Sequence, residues 1–149
     1  MKNLSESVVS EEIVNRLNSL NQNSTPGWGK MNVSQMLVHC RIPIENALGK
    51  QKFSRSLMGR VLGRIAKKSV LKNEPFKQNL PTDKRFIIAS TGVFEEERKN
   101  LNSTIQQFVQ SFPGGITTYP HPFFGKMTSD EWGMLMWKHL DHHLRQFGA

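Results

Sequence analysis

Several things are scarce in this sequence, and each scarcity excludes something. There is one cysteine, Cys40, in 149 residues. A framework of internal disulfides is therefore ruled out, and a lone thiol fits a reducing compartment. No apolar run reaches the roughly 18 residues that a membrane-spanning helix needs. The opening stretch MKNLSESVVSEEIVNRL lacks a continuous apolar core and carries Glu6, Glu11 and Glu12. It does not read as a secretory signal, so the expected location is the cytoplasm. Strand patterns are scarce as well, with Phe86-Ile87-Ile88 as the best short candidate.

Acidic residues are scarce in one segment only. The formal net charge is +8, yet residues 50–85 hold eleven Lys/Arg against two acids, while the rest of the chain holds nine against ten. The basic excess is thus local, and the remainder is close to neutral.

What is present is helical periodicity. A first helix is expected from about Ser5 to Leu20, with Val9, Ile13, Leu17 and Leu20 on one face. The polar stretch NQNSTPGWG ends it. A second helix follows Trp28, opened by a capping box of Asn32 and Gln35. Val33, Met36, Leu37, Cys40, Ile44, Ala47 and Leu48 form its stripe, and Pro43 inside it is expected to kink the helix or open a bulge. Residues 50–90 form a basic insertion. In it Phe53, Leu57, Met58, Val61, Leu62 and Ile65 line one face of a short helix expected to dock on the rest of the domain, and Gly59-x-x-x-Gly63 marks close packing. A third helix begins near Thr91, with Phe94, Leu101, Ile105, Phe108 and Phe112 as its stripe, and stops at Pro113-Gly114-Gly115. A fourth opens on a capping box of Thr128 and Glu131. Four such helices in one domain, residues 1–149, predict an all-α four-helix bundle with a basic, partly helical insertion between the second and third.

The fourth helix carries the chemistry. At 100° per residue, His139 and His143 fall within about 20° of Trp132, near the centre of the apolar face and one turn apart. Two neutral imidazoles on an apolar face need polar partners, and the face offers few. An i, i+4 pair can aim both rings at one metal ion. A catalytic zinc-type site uses about three protein ligands and an open position. His39, on the flank of the second helix, is the best third candidate. His121 in its Pro-rich loop and Cys40 as a thiolate compete with it, and Cys40 also fits a small buried hydrophobe. His121-Pro122-Phe123-Phe124-Gly125 reads as a turn whose aromatics cover one end of the bundle.

Trp28-x-x-Met31 leading through Gln35-Met36-Leu37-Val38-His39 resembles the second helix of the DinB-like superfamily, and His139-x-x-His142-His143-x-x-Gln146 resembles its last. The stretch HPFFGKMTSDEWGMLMWKHLDHHLRQFG is similar to one branch known only as a domain of unknown function. The resemblance implies a metal-binding four-helix bundle, often dimeric, with His39, His139 and His143 as ligands. Some relatives are thiol-dependent transferases or isomerases that use a low-molecular-weight thiol on a small substrate. Many relatives have Gly where this chain has Arg145, and the insertion is longer than the usual connector. Three neutral imidazoles around a divalent ion favour an anionic fourth ligand: hydroxide, thiolate or carboxylate. Zinc is the default for such a site, with nickel, iron or manganese allowed by ligand type.

Two functions follow as expectations. In the first, a metal-dependent enzyme activates a thiol or water against a small electrophile, with His121, Arg145 and Gln146 as weaker candidates for substrate or outer contacts. In the second, the chain is a binding module whose Arg55, Arg60, Arg64, Lys67 and Lys68 meet phosphates of nucleic acid or an anionic surface. The segment lacks the aromatic interleaving of single-strand binders, which counts against nucleic acid.

Overall fold

The chain turns helical wherever apolar residues recur at three- and four-residue spacing. The computed structural model describes residues 1–90 and 92–149, and among them it has five α-helices and no strand. These are α1 (Ser7–Asn18), α2 (Val33–Ala47), α3 (Leu57–Val70), α4 (Phe94–Ser111) and α5 (Ser129–Gln146). The expected helix start near Thr91 lies outside the described residues, and α4 is seen from Phe94. The candidate strand at Phe86–Ile88 is instead a 3₁₀ turn over Lys84–Phe86 followed by extended chain. The Asp83 carboxylate accepts the Arg85 backbone N–H at 3.0 Å, and this local bond favours the turn.

Helices α1, α2, α4 and α5 share one core. Val9, Ile13 and Leu17 of α1 are buried, as are Met36, Leu37, Cys40 and Ile44 of α2. Leu101, Ile105 and Phe108 of α4 and Trp132, Met136, Leu140 and Leu144 of α5 complete it. Each such side chain contributes about 1.5–3 kcal/mol on burial. Packing is most extensive between α2 and α4, and α5 lies against both α1 and α2. Both expected capping boxes are present, Asn32 with Gln35 on α2 and Thr128 with Glu131 on α5. Helix α2 runs on through Pro43.

Helix α3 departs from its expected docking. Its apolar stripe faces outward, and Gly59 and Gly63 are its buried residues. The reason is how closely two backbones meet. A Cβ on Gly59 would lie 2.6 Å from the Phe123 carbonyl oxygen, and one on Gly63 closer still. The glycine face therefore sets the orientation, and the apolar stripe is left on the far side. Polar contacts fix the ends. Ser56 caps the N-terminus by accepting the Gly59 N–H at 3.0 Å. The buried Lys138 ammonium donates to the Val70 and Lys72 carbonyls at 2.6 and 2.8 Å, a charge placed where the helix dipole favours it. Lys67 pairs with Glu131 at 2.9 Å.

Candidate metal centre

Helices α2 and α5 bring His39, His139 and His143 together. The burial of α2's stripe against α4 turns the flank carrying His39 toward α5. The three ring centroids form a nearly equilateral triangle with sides of 4.9, 4.8 and 4.7 Å. One ligand atom from each lies within 4.8 Å of the others. His39 and His143 are buried and His139 is half-buried.

Hydrogen bonds fix which nitrogen of two rings faces the centre. His39 Nδ1 is 3.0 Å from the Phe86 carbonyl oxygen. A carbonyl only accepts, so His39 donates from Nδ1, and the lone pair is on Nε2. Gln146 Nε2 donates to the Trp28 carbonyl at 2.6 Å, which turns its Oε1 toward His143 Nδ1 at 2.8 Å. His143 therefore also donates from Nδ1 and keeps a lone pair on Nε2. His39 Nε2 and His139 Nε2 are 3.1 Å apart. Two imidazoles on a tetrahedral ion, with bonds of about 2.0–2.1 Å, hold their nitrogens about 3.3 Å apart. The donor set fits a divalent cation.

The electrostatics agree. Burial lowers all three pKa values below the ordinary 6.5. His143 falls to about 3, with repulsion from His39 adding to burial. His139 is lowered well below by burial and then by His143 and His39. His39 is lowered by burial against the opposing pull of the Phe86 carbonyl. The rings are neutral near pH 7, the form that ligates metal.

The other candidates lie elsewhere. Cys40 is fully buried, its thiol pushed far up by desolvation and set against Met36 Sδ at 3.6 Å; it packs as a small hydrophobe. His142 is half-buried between Trp28 and Phe76. Arg145 is exposed, 3.8 Å from Asp141, and does not reach the cluster. His121 is also outside it. Its Nδ1 accepts the backbone N–H groups of Phe123 and Phe124 at 3.0 and 3.1 Å, and its ring is stacked on Phe124. The turn from His121 to Gly125 that it organises is the seat for α3.

Burial holds His121 at about 3, down from 6.5. Below pH 6.5 the unfolded chain takes up a proton here that the folded chain refuses until about 3. Stability therefore falls as pH falls through that window, by about 1.4 kcal/mol per unit for one proton. His121→Asn keeps an acceptor for the turn and removes the proton. Urea unfolding between pH 4 and 6.5, with chelator present, should show a slope smaller by one proton than wild type.

Sequence reasoning missed the two backbone carbonyls, Phe86 and Trp28, because a carbonyl has no side-chain signature. Gly29 was one available clue. Its φ is +80°, and a Cβ there would meet Gln146 Nε2 at 2.6 Å, so only glycine lets Trp28 reach Gln146. An open cavity of about 580 Å³ lies on the insertion, lined by Ser54, Arg55, Arg60, Tyr119 and Pro120. Arg85 donates to the Ser54 carbonyl at 2.8 Å, and the next residue, Phe86, is the one whose carbonyl meets His39.

A family described as "Protein of unknown function (DUF1569)" matches residues 6–149. No curated protein matches the chain. No solved structure matches it either.

Proposed function

The chain belongs to the DUF1569 family, and we propose that it is a divalent-metal-dependent enzyme, one domain built as a DinB-like four-helix bundle with α3 as an appendage. His39, His139 and His143 are the ligands. The observation that carries this reading is the convergence of ring nitrogens: His39 Nε2 and His139 Nε2 lie 3.1 Å apart, and one ligand atom from each of the three rings lies within 4.8 Å of the others. A hydrogen bond from His139 Nε2–H can satisfy the His39 lone pair; a cation would replace it and engage a nitrogen of all three rings at once. A divalent ion bound there supplies Lewis acidity and lowers the pKa of a coordinated water or thiol. The protein's own residues orient the rings. Phe86 and Gln146 fix two tautomers, and Arg55 and Arg60 place positive charge in the cavity on the insertion, suited to a small substrate or thiol bearing a carboxylate.

Metal analysis of untagged protein should give about one zinc, nickel, iron or manganese per chain. Cobalt-substituted protein titrated with a low-molecular-weight thiol should develop a thiolate-to-metal absorption band. A loaded protein whose spectrum ignores thiols, and which hydrolyses no small ester or amide, would leave the cation structural. Gln146 tests the positioning separately. Gln146→Ala should weaken metal affinity by about 10–100-fold, read by competition with a chromogenic chelator. The helical circular dichroism should stay unchanged.

A further inference from the structure

Helix α3 presents an apolar face to solvent. Leu57, Val61 and Ile65 form one i, i+4 row that is 81, 77 and 71% exposed, with Met58 and Leu62 in the adjacent row at 65 and 47%. This is a fixed feature of the docking, since Gly59 and Gly63 on the other side seat the helix on the Phe123 backbone. A contiguous exposed apolar patch of this kind on a monomer marks an interaction surface.

Charge decides the partner. Arg60, Arg64 and Lys68 form a third i, i+4 row along the edge of the apolar face. Lys67 has its partner in Glu131, but among the described residues no carboxylate pairs with these three. From residue 50 to residue 73 there are eight Lys/Arg and no Asp or Glu. A partner must offer an apolar interior behind an anionic rim. A second copy joined through this face would bring two cationic edges together with no acid between them. Nucleic acid would use the cations but leave five apolar side chains in water, and α3 has no aromatic on which a base could stack. An anionic lipid surface meets both requirements, with headgroups for the arginines and acyl chains for the row of Leu57, Val61 and Ile65.

We propose that α3 is a membrane-surface helix that seats this protein on an anionic bilayer. Its 14 residues span about 21 Å. No helix among the described residues is long and apolar enough to cross a membrane, so α3 lies in the interfacial plane. It is preformed, held by Ser56 at one end and Lys138 at the other, so binding costs little ordering. The contact needs no metal, and it stands or falls independently of the histidine site.

The test is flotation of the full, untagged chain with vesicles of phosphatidylglycerol and phosphatidylcholine, against phosphatidylcholine alone. The expected result is binding to the anionic vesicles, at least about tenfold tighter than to the neutral ones and weakening with salt. The double substitution Val61→Asp with Ile65→Asp should reduce binding by about tenfold or more, and Arg60→Glu with Arg64→Glu should abolish the preference for anionic lipid. All four positions are exposed, so circular dichroism and metal content should match wild type. Absence of binding at low ionic strength overturns the proposal. So does binding that Val61→Asp with Ile65→Asp leaves intact, or a wild-type dimer that those substitutions dissociate while vesicles go unbound.

Discussion

Replacing His39, His139 or His143 singly with alanine should strip the chain of its metal and of the stability that depends on it. A cation that binds only the folded state stabilises it by mass action, by about 4 kcal/mol when free metal is a thousandfold above Kd. For a domain of this length that is roughly 10 °C in Tm. Adding chelator to wild-type protein should lower Tm by this amount, while adding it to any of the three variants should change little. The variants need not be less stable than metal-free wild type. Each removes a polar ring from a largely buried cluster, and the desolvation this relieves offsets part of the cavity it leaves. Stoichiometric metal surviving in all three would sink the site. Metal lost from only two would mean that the third ring is a neighbour rather than a ligand.

How much of this was legible follows from where each signal resides. His139 and His143 could be read because i, i+4 spacing is a property of one helix and requires no partner. The capping boxes on α2 and α5 were legible for the same reason: Asn32 with Gln35 and Thr128 with Glu131 act within four residues. His39 was harder. On its own helix it sits at the flank of the stripe, and its burial comes from the packing of α5 against α2, which no local pattern encodes. The carbonyls of Phe86 and Trp28 are further removed, because they belong to connecting segments whose path is set by tertiary contacts.

Helix α3 shows how two legible signals can conflict. Its apolar periodicity calls for burial of Leu57, Val61 and Ile65, and its paired glycines call for close backbone approach on another face. Both cannot point inward. The glycine face prevails because Gly59 and Gly63 meet a backbone carbonyl, which cannot move aside as a side chain can, and because Lys138 and Glu131 hold the helix in that rotation.

Gly63→Ala puts that account at risk, because two effects of opposite sign compete. In an isolated helix, alanine is about 1 kcal/mol more favourable than glycine. Here the added methyl group would lie well inside contact distance of the Phe123 carbonyl oxygen and close to the Phe124 backbone. Overpacking of this kind costs about 1–3 kcal/mol, and the obstacle is main chain. The expected outcome is net destabilisation confined to α3. Hydrogen exchange should speed up by about tenfold or more over residues 57–70, while the amides of α2, α4 and α5 keep their protection. Gly114→Ala is the control, since a Cβ there meets nothing within 4 Å and should leave exchange unchanged. If Gly63→Ala instead slowed exchange in α3, propensity would have outweighed the clash. The glycine face would then not be what holds this helix with its apolar side outward.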